Sequence, residues 1–278
     1  MIEPVVSPEW VRSHHDRVIL ADVRAYLDGR KGADAYARGH LPGAVFVDLD
    51  TDLAAPPTAS DGRHPLPDPA RFAERMSALG IGANDTVIAY DDAGGVMAAR
   101  LVWMLRALGQ DSALLDGGIN AYGQERETRT PRRPRADFPV RPWPADRLAS
   151  LTDATSGDFV VLDARQPERF RGESEPIDPR PGHIPGARSV PCRENVDAEG
   201  RFHPAEILRE RFLAAGVGDG LDVVSYCGSG VTACHNLLAL ERAGFAPGRL
   251  YPGSWSQYSS TALPAATGEQ DPFPATGA

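Results

Sequence analysis

The stretch VVSYCGSGVTACHNLLALERAG at residues 223–244 has a counterpart earlier in the chain, VIAYDDAGGVMAARLVWMLRALG at residues 87–109. Each begins with a short apolar run, continues through a turn of small residues and ends in a segment where apolar residues recur at helical spacing. This succession predicts a strand, a tight turn and a helix. The chain therefore contains one strand–turn–helix unit twice.

Three further pairs of segments repeat in the same order: ILADVR (19–24) with VVLDAR (160–165), GHLPGAVFVDL (39–49) with GHIPGARSVPC (182–192), and LLDGGINAY (114–122) with LYPGSWSQY (250–258). Their near-constant separation indicates a duplicated domain. Short apolar strands that alternate with helices predict an α/β fold, with a mostly parallel sheet covered by helices on both faces in each copy. We predict a first domain over 1–123, a Pro- and Arg-rich linker over 124–148, a second domain over 149–262 and a loosely held tail over 263–278.

Composition limits the classes of function. The 278 residues are 42% hydrophobic and carry a formal charge of −9, which gives no general attraction to nucleic acid or to an anionic membrane. No apolar stretch approaches the roughly 20 residues that span a bilayer, and the N-terminus lacks a signal-peptide pattern. These features predict a soluble, cytoplasmic protein with no nucleic-acid or membrane partner.

The three cysteines are Cys192, Cys227 and Cys234, an odd number without the spacing of zinc ligands, which argues against a disulfide framework. Cys227 directly follows a predicted strand, and parallel sheets form their sites at the carboxyl ends of strands. A buried structural thiol is the alternative interpretation, and it is the one we prefer for Cys192 and Cys234.

The residues after Cys227 suit a reactive thiolate. Gly228 and Gly230 allow the backbone to curl, so that N–H groups of the loop, including those of Val231 and Thr232, can bind the sulfur or an anion attached to it. A helix predicted to begin near Val231 adds the positive end of its dipole. Both effects favour thiolate over thiol.

The loop CGSGVTA (227–233) resembles the active-site loop of the two-domain rhodanese-type sulfurtransferases, particularly the 3-mercaptopyruvate sulfurtransferases. The segments GRHPLP (62–67), LDARQPERFRG (162–172), PGHIPGA (181–187) and PGSWSQY (252–258) extend the similarity over nearly the whole chain. The resemblance implies tandem rhodanese-like domains. Only the second would keep a cysteine, since Asp91 or Asp92 stands at the matching position of the first.

The implied reaction moves sulfur from a small-molecule donor, 3-mercaptopyruvate, to Cys227 as a persulfide. A thiol, a thioredoxin-like protein or cyanide then accepts the sulfur, and no metal or other cofactor is required. One alternative is a thiosulfate:cyanide sulfurtransferase, and another is a non-catalytic rhodanese-like binding module.

The resemblance also implies a relay of Ser229, His64 and Asp50 on the donor carbonyl, with His64 and Asp50 supplied by the first domain. The alternative is that Ser229 is only a small loop residue and His64 a surface turn residue. In contrast to the basic loops of thiosulfate-specific relatives, Gly228 and Ser229 are neutral, which favours mercaptopyruvate.

Arginine suits the anionic end of the donor, because its planar fork binds two oxygens at once. Arg169 matches an anion-binding arginine of the family, and Arg180 is the expected second one. Arg165 and Arg171 are alternative candidates for this contact on the same stretch. The competing interpretation of Arg165 is an ion pair with a loop carboxylate such as Asp163, and that of Arg171 is a solvated surface position.

Overall fold

The computed structural model describes residues 1–123 and 125–269. The chain divides into two compact units, each discontinuous in sequence. The first contains Met1–Pro56, Leu66–Pro144 and Val196–His203, and the second contains Pro57–Pro65, Ala145–Asn195 and the described residues from Pro204 onward. The predicted boundaries treat each domain as one continuous stretch and did not anticipate that two short segments belong to the other unit.

The first unit is built on a five-stranded sheet in which every pairing of neighbours is parallel. The strand order is β1-β5-β4-β2-β3. The strands are β1 Val5–Val6, β2 Val18–Asp22, β3 Val45–Phe46, β4 Thr86–Tyr90 and β5 Ser112–Leu115. Residues Val87 to Tyr90 of the central strand are fully buried, as expected for a strand covered on both faces.

Six α-helices accompany this sheet in the described part of the first unit: α1 Pro8–Ser13, α2 Gly32–Arg38, α3 Leu49–Asp52, α4 Pro69–Ala78, α5 Ala99–Ala107 and α6 Gly118–Ala121. The start of α4 is capped by Asp68, whose carboxylate accepts from the N–H groups of Ala70 and Arg71. Helix α5 is almost completely buried, which accounts for apolar residues around most of its circumference.

The second unit contains a four-stranded parallel sheet in the order β7-β6-β8-β9. Its strands are β6 Val160–Asp163, β7 Arg188–Ser189, β8 Val223–Tyr226 and β9 Arg249–Leu250. Its helices are α7 Pro167–Phe170, α8 Ala205–Ala214, α9 Ala233–Arg242 and α10 Ser254–Tyr258. Short 3-10 helices lie at His15–Arg17 in the first unit and at Ala145–Arg147, Asp153–Thr155 and Cys192–Asn195 in the second.

The two sheets share one topology, because the order β3-β2-β4-β5 of the first unit recurs as β7-β6-β8-β9 in the second. A single parallel bridge between Leu148 and Leu250 takes the place that strand β1 occupies beside β5. The predicted α/β fold with parallel sheets is confirmed.

Two local expectations differ from the structure. Helix α9 begins at Ala233 rather than near Val231, since the left-handed backbone of Gly230, with φ 75°, interrupts the helical path. Part of the predicted loose tail is held in place: the backbones of His183 and Ala266 exchange two hydrogen bonds of 2.8 and 2.9 Å. The tail residues 270–278 lie outside the described residues. None of the described helices is long and apolar enough to cross a membrane.

Candidate active site

Cys227 immediately follows strand β8, and hydrogen bonds from the start of α10 fix its backbone. The N–H of Cys227 donates to the Ser254 hydroxyl at 3.2 Å, and its carbonyl accepts from the Trp255 N–H at 3.0 Å. The next carbonyl, of Gly228, accepts from the Ser256 N–H at 2.8 Å. The backbone that carries the thiol is therefore held by three hydrogen bonds to the first three residues of α10.

Ser254 has an unusual backbone conformation that serves this arrangement. It is fully buried and has φ 51°, a left-handed value that non-glycine residues rarely adopt. Its repeat counterpart in the first unit, Gly118, has φ 60°. A glycine would fit this backbone, but the serine hydroxyl also accepts from Cys227 and donates to the Tyr251 carbonyl at 2.9 Å. The sequence analysis missed Ser254. The sequence does contain a signal for it, because the second copy has a serine where the first copy has Gly118.

The turn after Cys227 directs backbone N–H groups toward the sulfur. The Gly230 N–H lies 3.1 Å from Cys227 Sγ. A Cβ at Gly230 would lie 2.6 Å from the Pro252 carbonyl oxygen, so only glycine fits at this position. Within the described residues, no protein acceptor is found for the N–H groups of Val231 and Thr232. These N–H groups can therefore bind an anion, as unpaired donors before a helix do.

The matching loop of the first unit binds a carboxyl group of its own. Asp91 occupies the position of Cys227, because its carbonyl accepts from the Ile119 N–H at 3.0 Å as that of Cys227 accepts from Trp255. The Asp91 side chain is fully buried and accepts from four backbone N–H groups at 2.8 to 3.0 Å, those of Ala93, Gly95, Met97 and Ala98. Burial raises the pKa of Asp91, and the four N–H groups oppose that rise. A loop of this type thus directs several backbone N–H groups at one acidic side chain.

Two of the three predicted relay residues come together. His64 lies in the 57–65 segment of the second unit, and its Nδ1 is 2.7 Å from the Ser229 hydroxyl oxygen. Ser229 is buried, with 7% of its surface exposed. Asp50 lies on the exposed side of helix α3 in the first unit, where its N–H donates to Asp48, and its role stays a prediction.

Arg169 lies at the end of α7, beside the Cys227 loop. Its Nη2 donates to Glu175 at 2.6 Å and to Asp178 at 3.1 Å. Its Nη1 would be 3.4 Å from a Cβ placed on Gly228, the residue after the cysteine. This position agrees with the predicted contact to the anionic end of a donor.

A second arginine that the sequence analysis missed, Arg63, lies beside the same glycine. A Cβ placed on Gly228 would be 3.0 Å from Arg63 Nη2. The Arg63 backbone N–H donates to Ser256 Oγ at 3.1 Å, and its side chain pairs with Asp178. The signal was a fifth repeated segment, since DGRHP (61–65) matches EGRFHP (199–204). The loop itself is neutral, but two guanidinium groups flank it, so positive charge lies beside Gly228 although the loop sequence contains none.

Arg180, the expected second donor-binding arginine, is engaged elsewhere. Its Nε, Nη1 and Nη2 donate to the backbone carbonyls of Ser259 at 2.9 Å, Leu263 at 2.9 Å and Tyr258 at 3.2 Å. Cationic side chains often satisfy the last carbonyls of a helix in this way. These contacts give Arg180 a structural role beyond the end of α10 and do not support donor binding.

The two alternative arginines are also paired. Arg165 is buried, donates to Asp163 at 2.6 Å and to the Gly182 carbonyl at 2.7 Å, and so follows the structural interpretation. Arg171 donates to Glu173 at 2.8 Å in a surface ion pair.

The other two thiols have the surroundings of packing residues. Burial raises the pKa of Cys192 to about 12. Cys234 is fully buried, and its thiol donates to the Gly230 carbonyl at 3.5 Å. Cys227 is also buried, with 2% of its surface exposed, so its chemistry follows from the loop rather than from exposure.

Comparison with known proteins identifies the family. The rhodanese-like domain profile matches this chain twice, over residues 7–125 and 145–261. A Pseudomonas aeruginosa protein named "Probable 3-mercaptopyruvate sulfurtransferase" is 44% identical over 269 residues, which cover 92% of this chain and 94% of that protein. A Mycobacterium tuberculosis protein named "Putative thiosulfate sulfurtransferase SseB" is 40% identical over 253 residues, covering 88% of this chain and 89% of the relative.

A solved structure, 3-mercaptopyruvate sulfurtransferase from Leishmania major, matches with a TM-score of 0.83 and 32% identity over 92% of this chain and 74% of that one. The chain therefore belongs to the rhodanese-like family, with two rhodanese-like domains. The predicted family and the predicted enzyme class, a sulfurtransferase, are both confirmed. The relatives differ in the sulfur donor that their names give, so the names alone do not identify it.

Proposed function

We propose that the protein transfers sulfur from 3-mercaptopyruvate, through a persulfide on Cys227, to a thiol or cyanide acceptor. The observation that carries this proposal is the Cys227 loop, with one N–H on the sulfur and further N–H groups that can bind an anion. The Asp91 loop supports it, because the same fold binds a carboxylate through four N–H groups.

In the first half-reaction the Cys227 thiolate attacks the sulfur of mercaptopyruvate. A sulfur–sulfur bond forms, the carbon–sulfur bond breaks, and the electron pair moves into the enolate of pyruvate. The proton of the donor thiol ends on the methyl carbon of pyruvate, which leaves an anionic persulfide on Cys227. Negative charge develops on the carbonyl oxygen, and the Ser229 hydroxyl, hydrogen-bonded to His64, can stabilise it.

In the second half-reaction an acceptor attacks the outer sulfur of the persulfide. Cyanide leaves as thiocyanate, a thiol leaves as its own persulfide, and the Cys227 thiolate is regenerated in both cases. We expect ping-pong kinetics, because the enzyme carries the sulfur between two separate substrates. The residues named here complete both steps without a cofactor, and a thioredoxin-like protein is one acceptor with the required thiol.

Thiosulfate is the second candidate donor, and one observation favours it. Arg63 and Arg169 both lie beside Gly228, where a compact dianion can bind close to the attacked sulfur. The hydrogen-bonded pair of Ser229 and His64 instead favours a donor with a carbonyl group. Steady-state kcat/KM values for both donors, each with cyanide and with a thiol acceptor, decide between them. We expect the mercaptopyruvate value to be larger, and a larger thiosulfate value would replace the proposed donor.

Ser229→Ala is expected to lower kcat/KM for mercaptopyruvate by about 10- to 100-fold, because a charge-stabilising hydrogen bond is lost in the transition state. His64→Ala should affect the same step, and so should Asp50→Ala if the predicted relay is complete. Thiosulfate turnover is the internal control, since this donor has no carbonyl group to polarise. An equal loss with both donors would show that Ser229 supports the loop rather than the donor carbonyl.

A further inference from the structure

Two guanidinium groups approach the residue that follows the nucleophile. Arg63 Nη2 and Arg169 Nη1 would lie 3.0 and 3.4 Å from a Cβ on Gly228. The Gly228 carbonyl is fixed by the Ser256 N–H, and the Arg63 N–H donates to the Ser256 hydroxyl. Both the Cys227 loop and the Arg63 backbone are therefore hydrogen-bonded to Ser256 of α10, which keeps Arg63 beside the loop.

Buried carboxylates hold both arginines from one side. Asp178 accepts from Arg63 Nη1 and, at 3.1 Å, from Arg169 Nη2. Glu175 accepts from Arg169 at 2.6 Å. The exposed fractions of the Asp178 and Glu175 side chains are 2% and 3%, against 31% for Arg63 and 17% for Arg169. The accessible part of this cluster is therefore cationic.

The nitrogens near the loop are those that the carboxylates leave available. Arg63 uses Nη1 for Asp178, and Arg169 uses Nε and Nη2 for Glu175 and Asp178. In the described part of the chain, Arg63 Nη2 and Arg169 Nη1 have no carboxylate partner, and they lie nearest Gly228. Burial lowers the pKa of Arg63, Cys227 opposes that shift and Arg169 adds to it, so all three groups interact electrostatically.

We propose that Arg63 and Arg169 together bind the anionic end of the sulfur donor, and that Arg63 takes the role expected of Arg180. The proposal rests on the proposed function, in which that end is the carboxylate of mercaptopyruvate. Each arginine offers an N–H to one carboxylate oxygen, and such charge-assisted contacts are stronger than neutral ones. Asp178 and Glu175 position the two guanidinium groups without occupying the faces that bind.

The first test separates the two half-reactions in the full-length enzyme. We expect Arg63→Ala to slow persulfide formation from mercaptopyruvate by about 10- to 100-fold, with a smaller loss in Arg63→Lys. Discharge of the preloaded persulfide by cyanide should stay within about twofold of the wild-type rate. Arg171→Ala, which removes an arginine of the surface pair with Glu173, is the matched control and should leave both steps unchanged. Unchanged persulfide formation in Arg63→Ala would overturn the proposal.

A double variant distinguishes donor binding from neutralisation of Asp178. Arg63→Ala leaves Arg169 to pair with both Asp178 and Glu175, so the cluster has a surplus negative charge. Asp178→Asn removes that surplus charge. If Arg63 contacts the donor, Arg63→Ala with Asp178→Asn keeps the defect in persulfide formation. Recovery of the wild-type rate in the double variant would show that Arg63 only balances Asp178.

Pyruvate binding tests the inference independently of turnover. Calorimetry on Cys227→Ser and on Cys227→Ser with Arg63→Ala should show pyruvate binding that weakens by about tenfold or more when Arg63 is removed. This result would support the arginine pair even if mercaptopyruvate proved not to be the donor. Equal pyruvate affinity in the two proteins, or no binding in either, would overturn the inference. Neither outcome would contradict a persulfide on Cys227, which is tested separately.

Discussion

Cys227→Ser is expected to abolish both persulfide formation and sulfur transfer, because a serine hydroxyl cannot carry the transferred sulfur. Of the three cysteines, Cys227 is the one whose sulfur accepts an N–H from a glycine turn before a helix. The pKa of about 12 for Cys192 keeps that thiol protonated at neutral pH. Intact-mass measurement after treatment with mercaptopyruvate should show one added sulfur atom on the wild-type protein, removable by cyanide, and none on Cys227→Ser.

Cys192→Ser and Cys234→Ser are the matched controls for this prediction. Both cysteines are buried in the second unit, and neither is held in the glycine turn, so the two variants should gain the sulfur atom as the wild type does. A persulfide that survives in Cys227→Ser, or that maps to Cys234, would contradict the assignment of the nucleophile.

The fold was predictable because its determinants are local and occur twice. The apolar runs at 160–163 and 223–226 form β6 and β8, and their pairing is parallel. Periodicity and repeat order encode such strands directly. The start of α9 was placed two residues early, because the left-handed turn at Gly230 depends on the close Pro252 carbonyl rather than on helix propensity.

The candidate site was predictable where one residue type carries the chemistry. Cys227 and its glycines form the expected turn, and His64 meets Ser229. Arg180 could not be told from Arg63 by sequence alone, since both are arginines near glycine and proline in short loops. Their roles depend on which acceptors surround each guanidinium: backbone carbonyls for Arg180 and one shared carboxylate for Arg63.

Long-range contacts account for the other omissions. The segment 57–65 belongs to the second unit although its chain neighbours belong to the first, and no local pattern reports that exchange. Ser254 looks like an ordinary helix-start residue in sequence, but its φ of 51° and its bond to Cys227 arise from tertiary structure.

Asp91→Ala is expected to lower the free energy of unfolding of the first unit by about 3–5 kcal/mol. The substitution leaves four buried N–H groups without their acceptor, and each such group costs about 1–3 kcal/mol when no partner replaces it. Water that enters the space of the lost carboxylate offsets part of that cost. Urea unfolding monitored by tryptophan fluorescence and circular dichroism measures the change.

Asp92→Ala is the control, because the adjacent Asp92 is exposed and accepts from the Tyr26 hydroxyl at 2.7 Å. Its removal should change stability by less than about 1 kcal/mol. An Asp91→Ala protein as stable as Asp92→Ala would mean that the N–H groups of the first loop find other acceptors. The comparison would then no longer support an anion-binding role for the loop around Cys227.

A loss of stability in Asp91→Ala would show that the loops of both copies share one requirement, an acceptor for their backbone N–H groups. A tight turn that collects several backbone N–H groups in a buried place needs hydrogen-bond acceptors there, and an anion is a strong acceptor for such groups. The first copy supplies acceptors permanently with the two oxygens of the Asp91 carboxyl group. The second copy has Cys227 at the same place, with one N–H on its sulfur, so thiolate and persulfide can take the position of the carboxylate in turn. Loss of stability in Asp91→Ala and loss of the persulfide in Cys227→Ser would therefore both depend on the backbone N–H groups that each loop directs inward. In the first copy these groups stabilise the fold, and in the second they stabilise the reacting sulfur.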